Sequence, residues 1–281
     1  SNGGCTLDSS SGSFSAENSA LRGMLRKNSR NNKAWMTDDG RTFLNLSDTA
    51  YLFFKPSESR WQRYVQDLDG LGMTSFRSDP LGEWNTYWAD TARTQFNLAN
   101  WQNMDARVRW LLNTYPNMYV VVGLYSGTTS YRGDEMVWQT LSQSVRDSLL
   151  RYMVSRWAGY PNLFFDITSD TRCSAYPNPP YTSAPTNTLN MASEVGNYFN
   201  TNDPWQHLMS FGPTRTEPFC FSASTSWVDY VSLETAYALS ADQVSAYSGY
   251  QMHVFNEEDY YEQDGNGKSP ANPRYFYRRL F

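Results

Sequence analysis

A chain of 281 residues with 40% hydrophobic composition can bury a large core, as one large domain or two small ones. Its formal net charge of -5 argues against a nucleic-acid surface, and no apolar run approaches the ~20 residues a membrane-spanning helix needs. Aromatic residues make up 16%, with 20 Tyr and 10 Trp, which suits stacking on sugar rings as well as ordinary core filling.

The chain opens at Ser1 with neither an initiator Met nor an apolar leader, as expected of a mature, processed product or a trimmed one, and the scarcity of lysine beside arginine is compatible with secretion. Residues 1–20, rich in Ser, Gly and Asn, read as a tail, and 21–281 as one domain. Asp38-Asp39-Gly40 between short apolar runs predicts a hairpin over 33–43. A strand over Phe43–Asp48 follows, then a helix over Glu58–Leu71 and a strand over Met73–Arg77. Next come a helix over Trp101–Tyr115, stopped by Pro116, and a strongly apolar strand over Met118–Leu124. The pattern goes on with a long helix over Glu135–Tyr160, a strand over Leu163–Thr168 and a helix over Leu189–Asn200. Strands over His207–Phe211 and Tyr230–Leu233, a short helix over Ala241–Tyr247, a strand over Gln251–Phe255 and a helix over Pro273–Phe281 complete it.

Strands that alternate with helices predict parallel β/α units, hence an α/β fold and a (β/α)₈ TIM-type barrel preceded by a β-hairpin. Seven such strands can be counted, so the eighth is expected beyond Phe281 or from a second chain or neighbouring protomer. A doubly wound sheet would carry a glycine-rich first turn, where this chain has Ser47-Asp48-Thr49-Ala50. The longest insertions, 79–100, 171–188 and 212–229, follow strands and fall on the C-terminal face, where barrel active sites are built. Within the first, Trp84 and Trp88 belong to a segment that suits either a sugar-contacting lid or a hydrophobic loop cluster.

Two strands end in acids. Pro161-Asn162-Leu163-Phe164-Phe165-Asp166-Ile167-Thr168-Ser169-Asp170 ends in an aspartate, and Gln251-Met252-His253-Val254-Phe255-Asn256-Glu257-Glu258 in an amide and two glutamates. A retaining glycosidase needs a protonated carboxyl for the leaving oxygen and an ionised one, about 5 Å away, to attack the anomeric carbon. Alternation along the strands groups Asp166, Thr168 and Asp170 on one side, and Val254, Asn256 and Glu258 on one side with Glu257 opposite. Asp170 is therefore the candidate acid/base and Glu258 the candidate nucleophile, with Asp166 and Glu257 as rivals; Asp166, mid-strand, also suits a buried structural acid. Other strand ends supply candidate sugar-binding residues: Asp48, Arg77, Tyr125 and Glu234, with Asn256 beside the acids. Structural salt bridges and loop caps are the competing roles for these.

No cofactor or metal is expected. Asp264-Gly265-Asn266-Gly267-Lys268-Ser269 resembles the tail of a phosphate loop, but Glu262 stands where a glycine is required. The same stretch has Ala271 where a calcium loop needs its bidentate acid, and two histidines, His207 and His253, make no zinc site. The sequon at Asn45 lies in an expected buried strand, which disfavours a glycan. Cys173 and Cys220 follow neighbouring strands and suit a disulfide, with Cys5 free or joined to another chain; three reduced thiols is the alternative.

Three segments carry a family resemblance. Arg41-Thr42-Phe43-Leu44-Asn45-Leu46-Ser47-Asp48-Thr49-Ala50-Tyr51-Leu52-Phe53 resembles the opening of apiosidase-like glycoside hydrolases, where a hairpin leads into a strand ending Gly-Asp-Thr-Ala-Trp. The runs ending in Asp170 and in Asn256-Glu257-Glu258 resemble that family's fourth strand, ending Gly-Gly-Asp, and seventh, ending Asn-Gly-Glu. The resemblance covers roughly 33–262 and implies a (β/α)₈ barrel, a retaining exo-glycosidase acting on plant-type polysaccharide side chains, Asp170 as acid/base and Glu258 as nucleophile. This chain departs from the pattern at Ser47, Ser169 and Glu257, where the family has glycine, at Tyr51, where it has tryptophan, and at Asp259, where it has proline. A non-catalytic barrel that binds carbohydrate or serves as an extracellular structural subunit is the reading from another class.

Overall fold

The computed structural model describes residues 19–55, 57–80, 87–90, 92–126, 138, 140–169, 171, 185–214, 217–234 and 245–258, with the backbone alone for Ser126, Ser169, 185–188 and Glu258. Three short strands come first: β1 (Leu25–Lys27), β2 (Trp35–Thr37) and β3 (Thr42–Phe43) form an antiparallel sheet in the order β1-β2-β3. The predicted hairpin is its second turn, where Gly40 takes φ 82°, a left-handed conformation that favours glycine.

Seven parallel strands follow, from β4 to β10. β4 (Ser47–Thr49), β5 (Ser75–Ser78), β6 (Tyr119–Ser126), β7 (Leu163–Ser169) and β8 (Met209–Ser210) form one parallel sheet in chain order. β9 (Tyr230–Glu234) and β10 (His253–Glu258) form a second parallel pair. The Asp229 N–H donates to the Met209 carbonyl at 2.8 Å and Ser210 Oγ to the Tyr230 carbonyl at 2.6 Å, which joins β8 to β9. Arg77 on β5 reaches Glu257 on β10, so the strands curl round a shared interior as in a TIM-type barrel. The remaining strand and the helix expected over Pro273–Phe281 fall outside the described residues.

The helices pack on the outside. α1 (Trp61–Gly70), α2 (Leu98–Thr114), α3 (Gln143–Trp157) and α4 (Pro185–Asn202) each follow a strand. In α2 the buried Trp101, Met104, Val108 and Leu111 recur every three or four residues, an apolar stripe on one face. Asn97 caps its start by accepting the Asn100 N–H at 3.2 Å, and Tyr115, the residue before Pro116, leaves the helical region with ψ 70°. The stripe meets the outward faces of the strands, where Phe76, Val120, Val122, Leu124, Leu163, Phe165 and Ile167 join it in one core.

The expected strand over Phe43–Asp48 is divided. Phe43 ends the N-terminal sheet, Leu44 is 67% exposed, and pairing resumes only at Ser47. The division has a packing reason: Leu25, Trp35 and Phe43 turn into the N-terminal mouth of the barrel and pack with Tyr119, Val121, Phe164, Leu208, Tyr230 and Phe255. Trp35 is the centre of this plug, edge-on to Phe164 at 5.4 Å and to Tyr230 at 5.1 Å between ring centroids.

Candidate active site

In parallel strands, residues in register share a face. Above the aromatic plug the interior turns polar: Arg77 on β5, Asp166 and Thr168 on β7, Ser210 on β8, Ser232 and Glu234 on β9, and Glu257 on β10, with Gly123 of β6 level with Asp166. Arg77, Asp166 and Glu234 are buried there, and Glu257 is 9% exposed. Next along β5, the buried Asp79 lies against Gly123, where any Cβ would collide with its carboxylate, so β6 needs glycine at that position.

Arg77 holds the site together. Its Nη1 lies 3.1 Å from Glu234 Oε1 and 3.1 Å from Glu257 Oε1, and its Nη2 donates to the Tyr51 hydroxyl at 3.0 Å. Ser232 Oγ donates to Glu257 Oε2 at 2.5 Å. Asp166 differs from these acids: neither of its oxygens meets a donor. Burial, then the charge of Glu257, pushes its carboxyl well above the usual carboxylate range, and Arg77 only partly offsets this. The neighbouring Tyr230 hydroxyl donates to the Phe165 carbonyl at 2.9 Å and is itself raised by burial and by Asp166. The guanidinium thus faces two of the three acids, and among the described residues no group of His, Cys, Asp or Glu is arranged to hold a metal ion.

β10 corrects the alternation expected from the sequence. His253 pairs with Tyr230, Val254 with Val231, Phe255 with Ser232 and Asn256 with Leu233, but Glu258, not Glu257, pairs with Glu234. Glu257 is the extra residue of a β-bulge. Phe255 and Glu257 therefore face the interior, while Asn256 shares the outer face of Leu233. The bulge returns Glu258 to the register position of the inward-facing Glu234. The strand also runs three residues past its expected end at Phe255.

The other predicted site residues are spread over several environments. Asp48, in register with the outward Phe76, accepts from the Tyr64 hydroxyl of α1 at 2.8 Å. Trp88 is buried and stacked on Phe96 at 4.9 Å, within the loop cluster that was the alternative to a lid. Tyr125, at the tip of β6, sets its ring edge-on to Trp138 at 5.2 Å. Arg77 and Glu234 meet in the interior. Asp170 and Trp84 lie outside the described residues; Ser169 and Thr171, on either side of Asp170, stand at the C-terminal end of β7. There Thr171 bridges to Pro213 after β8. Beside the tip of β4 a cavity of about 430 Å³ is walled by Tyr51, Trp61 and Tyr64, and Tyr51 connects it to Arg77.

Sequence reasoning missed Tyr51, Tyr230 and Ser232 as partners in this cluster. The alternation Tyr230-Val231-Ser232-Leu233-Glu234 carried a signal for two of them, since every second residue is polar.

Comparison with known proteins sharpens the picture. The family model described as "Apiosidase-like, catalytic domain" matches residues 29–279. No curated protein matches the chain. Among solved structures, a protein from Bacteroides vulgatus described as a putative glycoside hydrolase is 15% identical with TM-score 0.63, covering 83% of this chain and 47% of its own. A glycoside hydrolase family 5 protein from Bacteroides vulgatus is 14% identical with TM-score 0.64, covering 90% and 59%. An endo-1,4-beta-mannanase from Rhizomucor miehei is 15% identical with TM-score 0.66, covering 86% and 83%. The chain thus spans roughly half the length of the two Bacteroides proteins, and at these identities the likeness is one of fold.

Proposed function

The chain belongs to the apiosidase-like catalytic domain family, and from that premise we propose that it is a retaining glycoside hydrolase acting on a polysaccharide or glycan. The observation that carries this reading is the register of β10, which sets Glu258 level with Glu234 at the C-terminal end of the barrel. Active-site carboxylates of barrel enzymes stand at that end. Asp170 follows the tip of β7, three strands away.

In this reading Asp170 protonates the leaving oxygen as Glu258 attacks the anomeric carbon. One glycosidic bond breaks and a glycosyl–Glu258 ester forms. Asp170 then deprotonates a water that displaces the ester carboxylate, and the sugar leaves with retained configuration. The Arg77 cluster supplies a fixed polar floor beneath the reacting sugar. Secretion to an extracellular or periplasmic location and a Cys173–Cys220 disulfide belong to the same proposal. The disulfide is supported by Cys220's sulfur being bonded and by the Thr171–Pro213 bridge, which brings the loops after β7 and β8 together. A second chain or neighbouring protomer completing the barrel remains part of the proposal.

The test is hydrolysis of a panel of aryl glycosides and plant polysaccharides, followed by peptide mapping after reaction with 2-deoxy-2-fluoroglycosides. Retained anomeric configuration, a label on Glu258, and a loss of about 10²–10⁴-fold in kcat for Asp170→Asn are expected. An inverted product, or a label on Glu257, would overturn the assignment.

A further inference from the structure

Four charged groups share the buried floor of the barrel, and they do not balance. Arg77 is the single cation there among the described residues; Asp166, Glu234 and Glu257 are acids, and Asp79 adjoins just past β5. Glu234 and Glu257 both lie on the guanidinium, and Glu257 has the Ser232 hydroxyl besides. No salt bridge or well-aligned hydrogen bond reaches an Asp166 oxygen. The Tyr230 hydroxyl lies close enough to interact with Asp166, but its proton goes to the Phe165 carbonyl at 2.9 Å. An ionised Asp166 would be a fully buried charge with no hydrogen bond to hold it, which is a costly arrangement. A neutral Asp166 can donate, and Glu257 is the acid it faces.

We propose that Asp166 holds a proton and donates it to Glu257, and that this carboxyl pair, seated on Arg77, is a positioning device for Glu258. Glu257 is the bulged residue, so the groups that grip it fix the point at which β10 resumes register with β9 at Glu258. The retained proton also removes one negative charge from the floor next to the proposed nucleophile, which keeps Glu258 ionised and reactive. The groups facing the pair are Arg77 from β5 and Tyr230, Ser232 and Glu234 from β9, while Asp79, just past β5, is buried against Gly123 of the neighbouring strand. The role assigned to Glu258 rests on the glycosidase reading; the proton does not.

Infrared titration of the whole chain tests the proton without any substrate. The wild type should show the carbonyl stretch of a protonated carboxylic acid at pH 7, and Asp166→Asn should abolish it. In Glu257→Gln the midpoint of that band should fall by roughly one pH unit or more, since a negative neighbour is gone and the new amide can donate. No band in the wild type, or an unmoved midpoint in Glu257→Gln, would overturn the pair; if Asp166→Asn does not fold, Glu257→Gln decides alone. For the positioning role, the acid limb of the kcat/KM profile in Glu257→Gln should move down by about half a pH unit, with kcat reduced more than KM is changed. A merely structural role would leave the limb in place and defeats the proposal. A wild type with the expected infrared band but no glycosidase activity would sink the function proposed above and take the catalytic role of the pair with it.

Discussion

At the lower end of the barrel interior, Trp35 is ringed by Phe43, Phe164, Tyr230, His253 and Phe255 with centroids 4.5–6.5 Å away. Two residues further along the same strands, the upper end is held by one guanidinium among three carboxyls. β5, β7, β9 and β10 contribute to the upper layer, and β7, β9 and β10 to both. The lower layer can lose a contact and keep the rest, because dispersion and apolar burial add up over many neighbours. The upper layer cannot, because each acid there depends on a specific partner in low dielectric. Such a layer contributes little net stability while fixing geometry closely, which is what a reactive centre requires.

Substitution at the centre of each layer separates the two regimes. Arg77→Met should cost about 3–5 kcal/mol at neutral pH, since the buried Glu234 and Glu257 lose their cation. Chemical denaturation at pH 7 and pH 4 checks this; the cost should shrink in acid, where the carboxyls are neutral. Trp35→Ala should cost a similar 3–5 kcal/mol through lost burial and a cavity, and that cost should not change between the two pH values. If both costs respond to pH alike, the layers are not distinct.

A smaller effect sharpens the comparison. The folded state binds the Asp166 proton more tightly than the unfolded chain does, because burial and Glu257 raise its pKa. Its contribution to stability is therefore fully present below the unfolded carboxylate value near 4 and is lost as pH rises toward the folded value, at up to about 1.4 kcal/mol per pH unit. Asp166→Asn should flatten that slope above pH 4. Part should remain, because Asp229, also raised by burial, titrates in the same direction. The comparison with Asp166→Asn is what isolates this group, because His253, lowered by burial, contributes the opposite slope; an unchanged slope in Asp166→Asn would exclude a protonated Asp166.

Much of this architecture is legible from residue patterns. Tyr119–Ser126 is apolar on both faces because β6 lies between the aromatic interior and the helix layer, and an uninterrupted apolar run marks such a strand. The stops at Pro116 and the apolar stripe of α2 follow from local sterics and period. The bulge at Glu257 is not legible: no glycine or proline marks it, and its cause is tertiary, the pull of Arg77, Ser232 and Asp166 on one side chain. Strict alternation therefore placed Glu257 away from the interior and Asn256 toward it. The division of the first strand is hidden for the same reason, because Phe43 belongs to a plug that reaches as far along the chain as Phe255. Asp48 looked like a strand-tip acid, yet its partner is a tyrosine on the following helix.

The N-terminal sheet is fastened to residues near the other end of the described chain. Asn32 donates to Gln251 at a sequence separation of 219, Lys33 Nζ to the Ser248 carbonyl at 215, and His253 Nδ1 meets the Lys33 carbonyl at 220. Arg26 adds the carbonyls of Trp205 and Gln206. Closing so long a loop is entropically costly and is repaid only when β10 is in place. The stopper should therefore seat last, in a slow folding step, and on a ribosome β1 to β3 would wait until β10 had emerged before they could dock.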